Sequence, residues 1–191
     1  MFASAETEIP QLIQQMQRKL LSWLAVREHG DLELKQKFQR SFAEKIAHLT
    51  QQDWGNWQKI SPENSKMAES ILALGAWQDW QSWWPWLLEQ AQAENWQSDE
   101  RYVEAYVHQA LQKGQGPNKI RQTLQQRTSR SDLIEAYLAL EDADWIDLAR
   151  QALIKKYGDA QKPTQRNEQA KRMRFLQSRG FTSEQVWKSF Q

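Results

Sequence analysis

Nine basic residues fall on three copies of one short phrase: Arg27 and Lys35, then Lys113, Lys119 and Arg121, then Arg172, Arg174, Arg179 and Lys188, with Arg27, Lys113 and Arg179 at one matching place and Lys35 and Arg121 at another. Clustered lysine and arginine do one kind of chemistry without further apparatus, which is to hold an anion, phosphate or carboxylate. Arg27, Lys113 and Arg179 also fall where a helix should end, and a cation there offsets the helix dipole by ~0.3–1 kcal/mol. Lys119, Arg121, Arg172 and Arg174 lie away from helix ends, where that explanation is weaker.

The residues that would signal catalysis are missing. His29, His48 and His108 are scattered, without metal-ligand spacing. With no cysteine, disulfides, thiolate zinc sites and cysteine nucleophiles are excluded. The sequence holds no phosphate loop, dinucleotide fingerprint or nucleophile elbow. Gly114-Gln115-Gly116-Pro117 is glycine-rich, but no strand precedes it and it reads as a turn. Asp99, Glu100 and Glu104 could pair as acid and base, yet an acidic first turn is what a helix dipole favours. No catalytic residue, metal or cofactor is expected.

The elements that position the cations are helices. In each copy an apolar residue (Leu24, Ala110, Leu176) precedes the basic residue (Arg27, Lys113, Arg179) by three positions. Apolar residues return seven and eleven positions after it: Leu34 and Phe38, Ile120 and Leu124, Val186 and Phe190. Between them lie turn signals, His29-Gly30-Asp31, Gly114-Gln115-Gly116-Pro117 and Gly180-Phe181-Thr182-Ser183. Each copy therefore reads as helix, short turn, helix. Such a pair cannot bury its own apolar face, so recurring copies imply stacking into an array.

A pass along the chain gives helices nearly throughout. Leu12, Met16, Leu20, Trp23 and Leu24 share one face of a helix over 11–28, and Asp31 caps the next, with Leu34, Phe38 and Phe42 inward. Gly55, Pro62 and polar residues make 51–65 a loop, followed by a helix over 65–77 presenting Met67, Ile71 and Leu74. Eight of the eleven tryptophans fall between positions 54 and 96, which reads first as aromatic core filling and second as an exposed docking patch. Helices over 100–113 and 117–126, one capped by Ser131-Asp132, and one over 144–157 follow. A loop over 158–165 precedes the last pair, 167–179 and 182–190, whose second member Thr182 or Ser183 caps.

The net charge of +1 hides a segregation. Residues 41–110 carry four basic and ten acidic groups, residues 111–191 fifteen basic and nine acidic. The later part thus suits an anionic partner, nucleic acid or an acidic protein surface. No run approaches the ~18 apolar residues a membrane span needs. Met1-Phe2-Ala3-Ser4-Ala5-Glu6 lacks a signal peptide's basic and hydrophobic regions, so a cytoplasmic protein without membrane contact is expected.

Four segments, in order, resemble the RecX family of recombination regulators. Leu24-Ala25-Val26-Arg27-Glu28-His29 with Glu33-Leu34-Lys35-Gln36-Lys37-Phe38 is similar to the opening motif. The stretch from Ser98-Asp99-Glu100-Arg101-Tyr102-Val103 through Lys113-Gly114-Gln115-Gly116-Pro117 to Lys119-Ile120-Arg121 is similar to the middle one. Trp145, Leu148-Ala149 and Lys155-Lys156-Tyr157-Gly158 look like the connecting element, and Lys171, Arg174-Phe175-Leu176 and Arg179-Gly180-Phe181 like the closing one. Gln115 stands where the family usually has an aromatic, Asn95 where it has glycine, and Thr128 near another glycine. Asn95 suits a left-handed helix end; Thr128 suits it less, so its turn is expected to differ. Residues 41–82 look longer than the family norm.

The resemblance implies an all-α protein of three tandem three-helix repeats forming an elongated, curved array, with repeats at 1–97 (carrying the tryptophan-rich extension), 98–141 and 142–191. It implies a non-enzymatic protein that binds the RecA recombinase filament on single-stranded DNA, and a repeat array with polar ends can be a monomer. Less filament extension, ATP hydrolysis, strand exchange and co-protease activity in the SOS response would follow. The nine cations are the expected contact set, meeting acidic recombinase surface or DNA phosphate. Two other readings stand beside this one. The first is a helical nucleic-acid-binding module using the basic C-terminal half, with Asn118, Lys119, Arg121 and Gln122 as base readers. The second is an adaptor that docks a partner through the tryptophan tract.

Overall fold

The computed structural model describes residues 8–59 and 61–190. The N-terminal stretch read for a leader, Met1 to Glu6, lies outside the described residues. Those described form helices and no strand: α1 (Glu8–Leu24), α2 (Asp31–Ala47), α3 (Gln51–Gln58), α4 (Pro62–Ala73) and α5 (Trp80–Ala93) in one compact unit, Met1–Ser98. A second unit, Asp99–Gln191, holds α6 (Asp99–Gln112), α7 (Pro117–Gln125), α8 (Ser131–Leu138), α9 (Asp142–Tyr157), α10 (Arg166–Arg179) and α11 (Ser183–Lys188). The chain is all-α and built of tandem helical repeats.

In the first unit α1 buries Leu12, Met16 and Leu20, and α2 buries Leu34, Phe38, Phe42 and Ile46, each set recurring at one helical face. Tryptophan fills the space between them. Trp83 is fully buried on α5, and its indole N–H donates to the Trp77 carbonyl at 2.7 Å. Trp54 stacks on Trp77 at 5.6 Å and meets the edge of Trp83 at 5.8 Å, while Trp57 lies 6.3 Å from Trp83. Such pairs contribute ~0.5–1.5 kcal/mol beyond their buried area. The tract is core, which removes the exposed docking patch from consideration for Trp54, Trp57, Trp83, Trp84 and Trp86, all buried.

Residues 51–65 are not a loop. Thr50 and Asp53 form a reciprocal capping box that starts α3, and Ser61 caps α4 with Pro62 at its first position. Gly55 costs α3 ~1 kcal/mol of helix propensity, but burial of Trp54 and Trp57 outweighs it. The next helix also ends earlier than its apolar pattern suggests. Gly75 (φ 146°) terminates it, so Leu74 is 55% exposed and Ala68 takes its place inside with Ile71. Two caps differ as well: Gly30 and Arg130, not Asp31 or Ser131-Asp132, occupy the N-cap positions of α2 and α8. Asp132 instead accepts two hydrogen bonds from Arg130, at 2.8 and 2.6 Å.

In the second unit Val103, Val107 and Ala110 of α6 pack with Ile120 and Leu124 of α7, Ile134 and Leu138 of α8, and Trp145, Ala149 and Leu153 of α9. Leu176, Phe181 and Val186 close the same core. The turn before α7 meets the turn after α10 through main chain. The Gly116 N–H donates to the Arg179 carbonyl at 2.8 Å and the Asn118 N–H to the Gly180 carbonyl at 3.0 Å. A Cβ on Gly116 would stand 2.5 Å from the Phe181 nitrogen, and one on Gly180 (φ 93°) 2.5 Å from the Lys119 Cβ. Only glycine permits this approach.

Two departures from the family pattern, Asn95 and Thr128, have local reasons. Asn95 has φ 56°, the left-handed end a helix favours. Thr128 is buried, and its hydroxyl donates to Asp99 at 2.7 Å, tying its turn to the start of α6. Gln115, where an aromatic is usual, keeps a buried Oε1 without a hydrogen-bond partner.

Candidate functional site

The predicted cations divide by what already holds them. Beyond the end of α1, Arg27 donates to both oxygens of Glu33 and to the Glu28 carbonyl at 2.9 Å. Lys35 on α2 lies 6.0 Å from the Trp80 ring. Arg121 forks onto Glu135 at 2.7 and 2.9 Å, joining α7 to α8. That hydrogen bonding raises the Arg121 pKa and lowers that of Glu135. Arg172 is well enclosed: its side chain is 11% exposed, bonded to Asp159 at 2.7 Å and stacked over Tyr157 at 4.8 Å. The pair ties the 158–165 loop to α10, and the Arg172 hydrogen bond pulls the Asp159 carboxyl below its usual range. Lys188 pairs with Glu184 one turn earlier on α11.

Arg179 has a different role. Its guanidinium lies over Phe175 at 5.2 Å and donates to the Lys113 carbonyl at 2.8 Å, closing the end of α6. Lys113, Lys119 and Arg174 are exposed and have no carboxylate partner among the described residues. The Arg174 Nε donates only to the Ala170 carbonyl of its own helix, at 3.3 Å.

Two clefts in the second unit collect Lys113, Lys119 and Arg179, and Arg174 lines neither. Lys119 lines a small polar one with Asn118, Gln122 and Gln177. Lys113 and Arg179 line a larger groove of about 510 Å³ between the end of α6, α9 and α10. Lys155 and Lys156, from the last turn of α9, complete it. Sequence reasoning missed those two as a site. Their adjacency to Gly158 marks a helix end, and nothing linear shows that three helix ends converge. Among the described residues no three histidine, aspartate or glutamate side chains are placed to hold a metal ion. No described helix is long and apolar enough to cross a membrane.

In the first unit His29 is buried beside the Arg27–Glu33 pair. Its Nδ1–H donates to the Arg27 carbonyl at 2.8 Å, and Nε2 accepts from the Lys37 ammonium at 2.5 Å. Burial first, then the neighbouring cations Lys37 and Arg27, push its pKa below the ordinary 6.5 against the backbone hydrogen bond and Glu33, which raise it. This is a neutral packing histidine, not a ligand.

Comparison with known proteins places two family profiles on the second unit and the residue before it. One, described as the second three-helix domain of RecX, matches residues 98–138; the other, its third three-helix domain, matches residues 142–189. The chain is 39% identical over 114 residues to the Regulatory protein RecX of Shewanella oneidensis, covering 52% of this chain and 89% of that protein. It is 39% identical over 92 residues to the protein of the same name from Vibrio campbellii, and 38% identical over 92 residues to that from Serratia proteamaculans. Each of those two matches spans 48% of this chain, and they cover 59% and 54% of the relatives.

Proposed function

Since the chain belongs to the RecX family, we propose that it is a regulator that binds the RecA recombinase filament on single-stranded DNA and restrains it in the cytoplasm as a monomer. Filament extension, ATP hydrolysis, strand exchange and co-protease activity in the SOS response all fall as a result. The observation that carries this reading is the succession of second and third three-helix domains, over residues 98–138 and 142–189. No bond is made or broken by the regulator. A protein that binds one filament state better than another shifts the population toward it by no more than its differential affinity.

The contact set narrows within this reading. Arg27, Arg121, Arg172 and Lys188 are struts, already spent on internal carboxylates. Lys113, Lys119 and Arg174, with Lys155, Lys156 and Arg179 at the groove, present charge outward and form the proposed contact. The test is single-stranded-DNA-dependent ATP hydrolysis by RecA, with the protein titrated in. A fall in rate at substoichiometric ratios is expected, and an unchanged rate up to excess of folded protein refutes the reading. The surplus of lysine and arginine over residues 111–191 favours direct DNA binding as the second reading. Binding to single-stranded DNA alone would then weaken steeply with added salt.

A further inference from the structure

The groove between α6, α9 and α10 has a charge that the fold does not use. Every charged side chain lining it is a cation: Lys113, Lys155, Lys156 and Arg179. None of the four forms an ion pair among the described residues. The C-terminal ends of three helices converge here, and cations there offset their dipoles. Each end carries roughly half a negative charge, so the three together account for about one and a half of four positive charges. A surplus of more than two charges remains for something else.

The floor of the groove says what that is. Leu111, Leu148 and Phe175 are half-buried and open to it. Phe175 is not free for stacking: Lys156 lies 4.2 Å from its centroid, Arg179 lies 5.2 Å away, and Tyr157 meets it edge-on at 5.7 Å. A nucleobase needs an open aromatic face, and none is offered. An aliphatic side chain needs only the apolar floor. The same ring contacts hold Lys156 and Arg179 in place before any partner arrives, which lowers the entropy lost on binding.

We infer that this groove binds an acidic peptide segment of a partner protein, its carboxylates on Lys113, Lys155, Lys156 and Arg179 and one aliphatic side chain on Leu111, Leu148 and Phe175. Arg179 is suited to this, because its bond to the Lys113 carbonyl uses one terminal nitrogen and leaves other donors for a carboxylate. The inference deepens the regulator reading and rests on it only for the identity of the partner as the recombinase.

The test uses the full chain and a fluorescein-labelled peptide of aspartate and glutamate with one central leucine, followed by anisotropy. The double variant Lys113→Glu, Lys155→Glu is the probe, since both side chains are exposed and neither supports the core; unchanged circular dichroism and melting confirm its fold. Expected is saturable binding weakened by roughly tenfold or more in the variant, lost for the peptide with asparagine and glutamine in place of its acids, and weakened when glycine replaces leucine. Peptide binding that is absent, or equal in the variant, overturns the inference. So does oligothymidylate binding that the variant abolishes while the peptide fails to bind, which would make the occupant nucleic acid. RecA ATPase measured alongside separates the two claims. A wild-type protein that binds peptide without inhibiting RecA leaves the groove standing and removes the regulator reading. A variant that loses peptide but inhibits fully refutes the recombinase as the groove's partner and leaves the regulator reading intact.

Discussion

The two units solve the same packing problem with opposite materials. The first, Met1–Ser98, brings its helices together by filling space with indole rings, and carries nine of the eleven tryptophans. The second, Asp99–Gln191, brings two helix-turn-helix pairs together by removing side chains, with Gly116 and Gly180 letting backbone touch backbone. Large rings tolerate no loss of volume, whereas a glycine joint tolerates no gain.

That contrast predicts opposite responses to single substitutions, and the chain supplies its own reporters, since all four tyrosines lie in the second unit. Trp83→Ala should give the largest effect, a loss of ~3–5 kcal/mol from the cavity left behind. Urea unfolding followed by tryptophan emission should show it, with the tyrosine ring resonances of the second unit keeping their native dispersion. If both units lose structure together, the division of labour is wrong.

Adding one methyl at the joint should come next. Gly116→Ala or Gly180→Ala drives a Cβ into backbone that cannot move aside, at a cost on the order of 3 kcal/mol. Tyrosine resonances should shift first in these variants. A stability equal to wild type would mean the turns do not meet as described.

A pH titration separates the units more gently. His29 is held neutral in the fold, its pKa below 6.5. The stability it contributes is therefore fully present above about pH 6.5, the unfolded value, and is lost as pH falls through the lowered folded value. The first unit should weaken over that interval by thermal melting read from tryptophan, and His29→Gln should flatten the slope. The smallest effect carries the opposite sign. Gly55 lies in mid-helix with open space where its Cβ would be, so Gly55→Ala should stabilise α3 by ~0.5–1 kcal/mol. The same change that breaks the second unit should thus strengthen the first.

How much of this was legible in the sequence follows from whether the signal was local. Gly114, Gly158 and Gly180 end their helices with positive φ, and Thr182 with Gln185 caps α11; each acts within a few residues of itself. The helices of the second unit were readable for that reason. α3 was not, because Gly55 and Asn56 within it and Pro62 just beyond it argue locally against a helix that burial of Trp54 and Trp57 favours from outside. The site was harder still. Arg121 and Glu135 are 14 positions apart, and Arg172 and Asp159 13, so the pairs that occupy two of the predicted cations needed coordinates to see. Lys155 and Lys156 become part of a groove only when α9 is laid beside the ends of α6 and α10.

The joint at Gly116 and Gly180 is made of peptide groups, and every residue except proline brings both a peptide N–H and a carbonyl. Its specification therefore rests on two small positions while the side chains around it stay at liberty. Lineages that keep those glycines can re-letter the neighbouring groove, trading lysine for serine or leucine for phenylalanine as a partner drifts, without loosening one repeat from the next.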